Sequence, residues 1–191
     1  HCKCSVINGL TDLAHPCQAL ADLYTMKEIH SELKGLKLAF VGDANNVARS
    51  LALACGKMGV QFSLASPEGY RFDDEFISLL ATQCPDTTIE QTGDAARAVD
   101  DAAAVYTDVW TSMGQEAESR VRKKDFVGFQ VNPRLLENAA PEVKIMHDLP
   151  AHPGEEVSVG LLDEPRSIVF DQAENRLHAQ MGLMDFLLSD G

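Results

Sequence analysis

Residues 36–59 read LKLAFVGDANNVARSLALACGKMG, and this stretch decides the fold. Its first six residues are a short apolar run that ends at a Gly-Asp pair, which predicts a buried β-strand. From Asn46 onward apolar residues recur at helical spacing, which predicts a helix ending at Met58. Gly59 then serves as a C-cap, because glycine adopts the left-handed conformation that closes a helix. The stretch therefore predicts a strand, a polar loop and a helix in succession.

The same alternation of strand and helix continues along the chain. Apolar runs predict further strands, and segments with helical spacing predict helices between them. The predicted strands lie at 61–65, 87–90, 103–107, 144–146 and 167–170, and the helices at 73–80, 94–99, 116–126 and 133–140. This order predicts an α/β fold, a doubly wound parallel sheet with helices on both faces and with ligands bound at the carboxyl ends of the strands.

Two predicted helices, at residues 12–28 and 171–188, stand outside that alternation. Each has an apolar stripe, formed by Leu13, Cys17, Leu20, Ala21 and Tyr24 in the first and by Ala173, Leu177, Met181, Met184 and Leu188 in the second. One interpretation is that both helices simply cover the sheet. The other is that they are interdomain helices whose second partner is absent from this sequence.

Composition limits the classes of function. The chain has 191 residues, of which 45% are hydrophobic, so it can bury a substantial core. Its net charge of −13 argues against a nucleic-acid partner, because phosphate binding needs clustered Lys and Arg. The sequence has no run of 18 apolar residues, so no membrane span is expected.

The cysteines predict a reducing compartment. Five cysteines, an odd number at irregular spacing, suggest free thiols in the cytoplasm. His1, Cys2 and Cys4 could form half of a zinc site, but no second half follows at zinc spacing. The N-terminus also lacks the apolar stretch of a signal peptide.

Several polar groups are candidates for a binding site. His15 and Gln18 are one helical turn apart, so both side chains can point at one small planar group. Asn45 and Asn46 follow the first strand, where a dinucleotide-binding fold would have a G-x-G-x-x-G loop. The missing glycines argue against a nicotinamide dehydrogenase. Each of these groups also has a plainer interpretation as a helix start with a capping residue.

Three further groups follow the same pattern. Asp108 begins a loop, D-V-W-T-S-M-G, after the strand 103–107 and offers a carboxylate to an ammonium group. Arg176 lies in an E-N-R motif on the last helix, where arginine by default is a solvated charge. The segment 146–152, M-H-D-L-P-A-H, follows a buried strand and has Asp148 at its centre.

Together these motifs resemble the second lobe of the ornithine carbamoyltransferase family, over about residues 6–188. The resemblance implies that His15 and Gln18 bind the carbamoyl group and that Arg176 donates to its oxygen. It implies ornithine contacts for Asn46, with Asn45 as its neighbour, and for Asp108, Ser112, Met113 and Leu149. His147 is expected to orient its loop rather than react. The parent reaction makes citrulline and phosphate from L-ornithine and carbamoyl phosphate in arginine metabolism, with no metal or organic cofactor, in a trimer.

Two departures from the family qualify that expectation. Asp148 stands where the family has cysteine, and Pro153 stands where a basic residue is expected. In addition, nothing in the chain matches the family's phosphate-binding Ser-Thr-Arg-Thr loop. We therefore expect a fragment of a longer enzyme, inactive by itself. Its expected parts are a carbamoyl-binding interdomain region at 1–30, an ornithine-binding lobe at 31–170 and a C-terminal helix at 171–191.

The exchange at Asp148 leaves a second hypothesis open. A carboxylate there is expected to be ionised near neutral pH and to favour the protonated form of the reacting amine, which would slow its attack. The chain could therefore be a non-catalytic amino-acid-binding module that keeps Asn46, Asp108 and Ser112 but has lost the chemistry.

Overall fold

The computed structural model describes residues 4–111, 114 and 116–189, and this part of the chain contains five strands and seven α-helices. The strands are β1 (Lys37–Val41), β2 (Gln61–Ala65), β3 (Ile89–Thr92), β4 (Ala104–Thr107) and β5 (Lys144–His147). The helices are α1 (Pro16–His30), α2 (Asn46–Met58), α3 (Asp74–Gln83), α4 (Ala95–Val99), α5 (Ser119–Asp125), α6 (Pro133–Leu136) and α7 (Val169–Leu188).

The five strands form one parallel sheet in the order β3-β2-β1-β4-β5. Leu38 of β1 pairs with Phe62 of β2 on one side and with Ala104 of β4 on the other. The chain leaves β1 toward β2 and later returns to its other side as β4. This reversal opens a crevice at the carboxyl ends of β1 and β4. The predicted doubly wound α/β fold is confirmed.

Helix α2 shows how local sequence sets an element. The Asn45 Oδ1 atom accepts hydrogen bonds from the backbone N–H groups of Val47 and Ala48, which otherwise have no partner in the first turn. Gly59 ends the helix with φ of 72°, in the left-handed region that favours glycine. The predicted bounds of this helix are confirmed.

The core lies on both faces of the sheet. Alternating residues of β1 supply the two halves, with Leu38 and Phe40 packing in one cluster and Ala39 and Val41 in the other. All four side chains are fully buried. The sheet is therefore covered on both sides, as a parallel sheet requires.

Several predicted elements differ from the structure. The strand predicted at 87–90 is β3 at Ile89–Thr92, the helix predicted at 12–28 begins at Pro16, and the helix predicted at 116–126 is a 3₁₀ turn followed by α5. Residues 167–170 do not form a strand, because only Ser167 makes an isolated bridge, to Ile145, and α7 begins at Val169. One backbone hydrogen bond, from Ile168 N to Ile145 O, positions this segment beside β5 before the chain turns into the helix. The helix predicted at 133–140 is also shorter and ends as α6 at Leu136.

Helices α1 and α7 pack against each other through a polar seam. Asp22 and Thr25 of α1 are buried and accept hydrogen bonds from Gln172 and Asn175 of α7. The apolar stripe predicted on α7 lies on the opposite, exposed side; its large members are Leu177, Met181, Met184 and Leu188. Such a stripe is what the interdomain interpretation requires, since a helix that merely covers the sheet would bury it.

No helix within the described residues combines the length and the apolar character needed to cross a membrane.

Candidate functional site

Polar side chains from several elements meet beside the carboxyl ends of β1, β4 and β5. They come from the first turn of α1, from the N-terminal half of α7 and from the loops that follow the three strands. Asn45 after β1 donates from Nδ2 to Asp108 Oδ2 after β4, at 2.6 Å. One ligand atom each of Asp108, His147 and Asp148 lies within 4.8 Å of the others. The crevice at the strand reversal is therefore lined with carboxyl, amide and imidazole groups.

Gln18 and Arg176 come together, as the sequence predicts. The Arg176 guanidinium donates through Nη1 to Gln18 Oε1, although 158 residues separate the two positions. Gln18 is 2% exposed, and its Nε2 donates to Asp22 Oδ1 at 2.8 Å. Arg176 Nε has no hydrogen-bond partner among the described residues. A charged donor with an unused N–H group is thus held beside a buried amide.

His15 is the N-cap of α1, and its side chain makes no capping hydrogen bond. Its backbone N–H donates to Ser50 Oγ at 2.7 Å, which fixes the helix start against α2. Burial, followed by the positive charge of Arg176, lowers the pKa of His15, while a backbone hydrogen bond to Gly9 opposes this. The imidazole is therefore neutral at physiological pH.

The two asparagines after β1 have different contacts. Asn45 caps α2 and also holds Asp108, as described above. Asn46 instead donates from Nδ2 to Thr11 O at 2.7 Å, which ties the segment before α1 to the start of α2. The residue bonded to the predicted ornithine-binding carboxylate is thus Asn45. The substrate contact assigned to Asn46 stays a prediction.

Asp108 is 7% exposed and is held as an acceptor. Besides the Asn45 amide, the backbone N–H of Val109 donates to its Oδ1 at 2.6 Å. The neighbouring predictions, Ser112 and Met113, lie outside the described residues.

Arg122 of α5 anchors the loop after β4, a role that no sequence motif indicates. Its Nη1 donates to Asp43 Oδ2 at 2.6 Å and to Trp110 O at 3.1 Å, and its Nε donates to Glu118 Oε2 at 3.0 Å. One buried guanidinium therefore ties both ends of the loop to the end of β1. The guanidinium also lies over the Tyr70 ring. Only the fold brings these partners together.

His147 orients the loop that follows β5. Its Nδ1 accepts the Leu149 backbone N–H at 2.9 Å, so this nitrogen carries no proton and Nε2 donates to Glu156 Oε1 at 3.2 Å. The backbone N–H of His147 donates to Gln172 of α7 at 3.0 Å. Both ring nitrogens are engaged in these contacts, which suits the predicted orienting role. Leu149 itself has φ of 57°, in the left-handed region.

The expectation that Asp148 is ionised near neutral pH is wrong. Its side chain is only 13% exposed, and its Oδ1 has no hydrogen-bond partner among the described residues. Burial, followed by the charge of Asp108, raises the pKa of Asp148 to about 10. A second buried negative charge beside Asp108 would be costly, so Asp148 keeps its proton. The sequence could not show that the two carboxyl groups face each other.

Asp108, His147 and Asp148 have the ligand types of a metal site, but the His147 imidazole has no free lone pair. His147 uses Nδ1 for the Leu149 amide and directs Nε2 at Glu156. A metal ion would have to break one of these buried hydrogen bonds to gain a histidine ligand. We therefore assign no metal to this trio.

Asp22 is a site residue that the sequence analysis missed. It is fully buried, and its Oδ1 accepts hydrogen bonds from the amides of both Gln18 and Gln172. Burial raises the pKa of Asp22 to about 7. Gln172 also donates to the Tyr106 hydroxyl at 3.1 Å. The one signal in the sequence was the four-residue spacing between Gln18 and Asp22, which puts both on one helix face.

Comparison with known proteins places this arrangement in a family. Residues 34–187 match the aspartate/ornithine carbamoyltransferase family, Asp/Orn binding domain, and residues 1–28 match part of its carbamoyl-P binding domain. The chain is 51% identical to an ornithine carbamoyltransferase of Oceanobacillus iheyensis, with 100% of the chain and 60% of the relative covered. It is 50% identical to the Bacillus subtilis enzyme of that name, with 97% and 59% covered.

Solved structures agree with the sequence relatives. Ornithine carbamoyltransferase from Pyrococcus furiosus superposes with a TM-score of 0.91 at 49% identity, covering 96% of this chain and 59% of that one. Ornithine transcarbamoylase from Giardia lamblia gives 0.89 at 30% identity, covering 97% and 63%. The chain thus spans about 60% of the length of the relatives it matches.

Proposed function

Because the chain belongs to the aspartate/ornithine carbamoyltransferase family, we propose that its protein transfers the carbamoyl group of carbamoyl phosphate to the side-chain amine of L-ornithine. The products are citrulline and phosphate, in arginine biosynthesis. The enzyme needs no metal or organic cofactor for this reaction. The observation that carries the proposal is the contact between Arg176 and Gln18, beside a His15 imidazole on which the charges of both Arg176 and Asp108 act.

Gln18, His15 and Arg176 act on the carbamoyl group. Its carbonyl oxygen gains negative charge as the amine attacks, and preorganised donors at that oxygen lower the barrier. Arg176 is suited to this because its charge is permanent and its Nε is unused among the described residues. His15 is neutral, so it can donate or accept without adding charge. Gln18 is held in one orientation by its bond to Asp22.

Asp108 binds the amino acid. A carboxylate fixed by two donors and buried in the crevice suits an ammonium group, since charge-assisted hydrogen bonds are strong away from water. Ser112 and Met113 belong to the same loop, and Leu149 presents its backbone from the loop after β5. We assign to these residues, and to Asn46, the remaining contacts with ornithine.

The proposed division of the chain follows from these roles. Residues 1–30 supply the carbamoyl-binding helix, residues 31–170 form the ornithine-binding lobe, and residues 171–191 return as the helix that carries Arg176. We also propose that the complete protein is a homotrimer and that a further lobe supplies the phosphate contacts. Sedimentation velocity of the complete protein tests the trimer.

A citrulline assay tests the function. The complete protein should form citrulline from both substrates, whereas residues 1–191 alone should give no citrulline above background, because the phosphate contacts are missing. Arg176→Gln in the complete protein should lower kcat by 100-fold or more, at about the magnitude of a lost oxyanion donor. Arg166→Gln is the matched control, since Arg166 pairs with Glu164 away from the site. Ornithine binding without turnover by the complete protein would instead favour the non-catalytic binder.

A further inference from the structure

Two carboxyl groups, those of Asp108 and Asp148, face each other in the crevice. One oxygen of Asp108 and one oxygen of Asp148 lie within 4.8 Å of each other. Asp108 is 7% exposed and the Asp148 side chain 13% exposed. Two buried carboxylates at this range cannot both be charged without a counterion.

The surrounding hydrogen bonds decide which acid keeps its proton. Asp108 accepts two N–H donors, from the Asn45 side chain and the Val109 backbone. Asp148 has no such donors at Oδ1. Asp108 is therefore the acceptor in the pair, and Asp148 is the acid that holds the shared proton.

No cationic side chain among the described residues pairs with Asp148, since the Arg176 guanidinium acts on Asp22 and His15 but is bonded to Gln18. Asp22 from α1 is a further acid, and its charge raises the pKa of Asp148. The buried Tyr106 hydroxyl of β4 is neutral. The His147 Nδ1 atom lies 3.5 Å from Asp148 Oδ1, but it already accepts the Leu149 amide. The charge needed to ionise Asp148 must come from a ligand.

We propose that Asp108 and Asp148 form a paired-acid site that binds a primary ammonium group in exchange for the shared proton. This inference rests on the proposed function, in which the ligand is L-ornithine. On binding, the Asp148 O–H bond breaks and its proton leaves to solvent. The ammonium then lies between two carboxylates, so the ligand arrives with one positive charge and one proton departs. Asp148 thereby makes ornithine binding dependent on pH.

Calorimetry in two buffers of different ionisation enthalpy tests the exchange. Wild-type residues 1–191 should release about one proton per bound L-ornithine near neutral pH. Ornithine affinity should therefore rise about tenfold for each unit by which the pH is raised toward neutrality. Asp148→Asn should release almost none and lose that pH dependence. Asp86→Asn is the matched control, because Asp86 is an exposed acid outside the crevice and its replacement should leave the release unchanged. Proton release that is kept in Asp148→Asn would overturn the assignment.

Two analogues identify which ammonium is bound. Norvaline keeps only the α-ammonium, and 5-aminopentanoate keeps only the side-chain ammonium. The analogue whose binding releases a proton therefore identifies the ammonium group that binds between Asp108 and Asp148. If ornithine binds without proton release, the exchange is wrong and the proposed function stands. If neither ornithine nor an analogue binds, both are wrong.

An infrared difference spectrum adds a readout that needs no ligand. The wild type minus Asp148→Asn should show a protonated carboxyl band at neutral pH, and that band should disappear from the wild type when ornithine is added. Absence of the band in the ligand-free protein would refute the shared proton.

Discussion

Replacing Asp148 by Asn should make the folded chain less sensitive to alkaline pH. The pKa of Asp148 is raised from 3.8 to about 10, so the folded state holds a proton that the unfolded chain loses above pH 4. The contribution of this proton to the free energy of unfolding is complete below the pKa that Asp148 has in the unfolded chain. It is lost as pH rises toward the pKa that Asp148 has in the folded chain. One group contributes about 1.4 kcal/mol per pH unit across that window. Between pH 5 and pH 8 the wild type should therefore lose about 4 kcal/mol relative to Asp148→Asn.

Urea unfolding at pH 5, 6, 7 and 8 measures this difference. Asn is the right substitution because it matches the neutral acid in shape and can still donate to Asp108. Asp86→Asn, at an exposed carboxyl, controls for the removal of one acid from a chain of net charge −13. If wild type and Asp148→Asn show parallel stability curves over this pH range, Asp148 is ionised in the folded state and the reasoning is refuted.

Three other substitutions test separate parts of the site. Asp108→Asn should weaken ornithine binding by about 1.5–3 kcal/mol. Thr107→Ser is the control and should change ornithine affinity little, because serine keeps the hydroxyl that donates to Val41 O. Calorimetry that gives equal affinities for the two variants would exclude Asp108 from the site. Arg122→Met should cost about 3–5 kcal/mol in urea unfolding because it leaves the buried Asp43 carboxylate unpaired, and an unchanged midpoint would contradict this. Asn45→Ala should cost about 1 kcal/mol through the lost helix cap, measured in the same way.

The sequence predicted best what is fixed locally. The strand before Gly42, the cap at Asn45 and the end of α2 at Gly59 all depend on residues next to one another in the chain. The strand predicted at 167–170 failed because its bonding to β5 stops after one bridge, a tertiary outcome that an apolar run cannot specify.

The site was predictable in its residue types but not in its charges. The motifs named Gln18, Arg176, Asp108 and Asp148, and the fold brings these side chains to one end of the sheet. The charge of Asp148 depends on its burial and on the carboxyl group opposite, and neither is visible in a linear sequence. For the same reason no motif indicates Arg122, because its partners come from three separate segments.

The seam between α1 and α7 has a consequence for synthesis on the ribosome. Asp22 receives a donor from Gln172, and Thr25 one from Asn175, and 150 residues separate each pair. At about 5–20 residues per second, a ribosome needs roughly 10–30 s to make that intervening chain. During this interval Asp22, which is buried in the folded chain, is still exposed on the nascent α1, and the Gln18 amide still lacks its hydrogen bond from Arg176. The crevice can therefore be completed only after translation has passed α7, so every earlier intermediate is a sheet without a finished site.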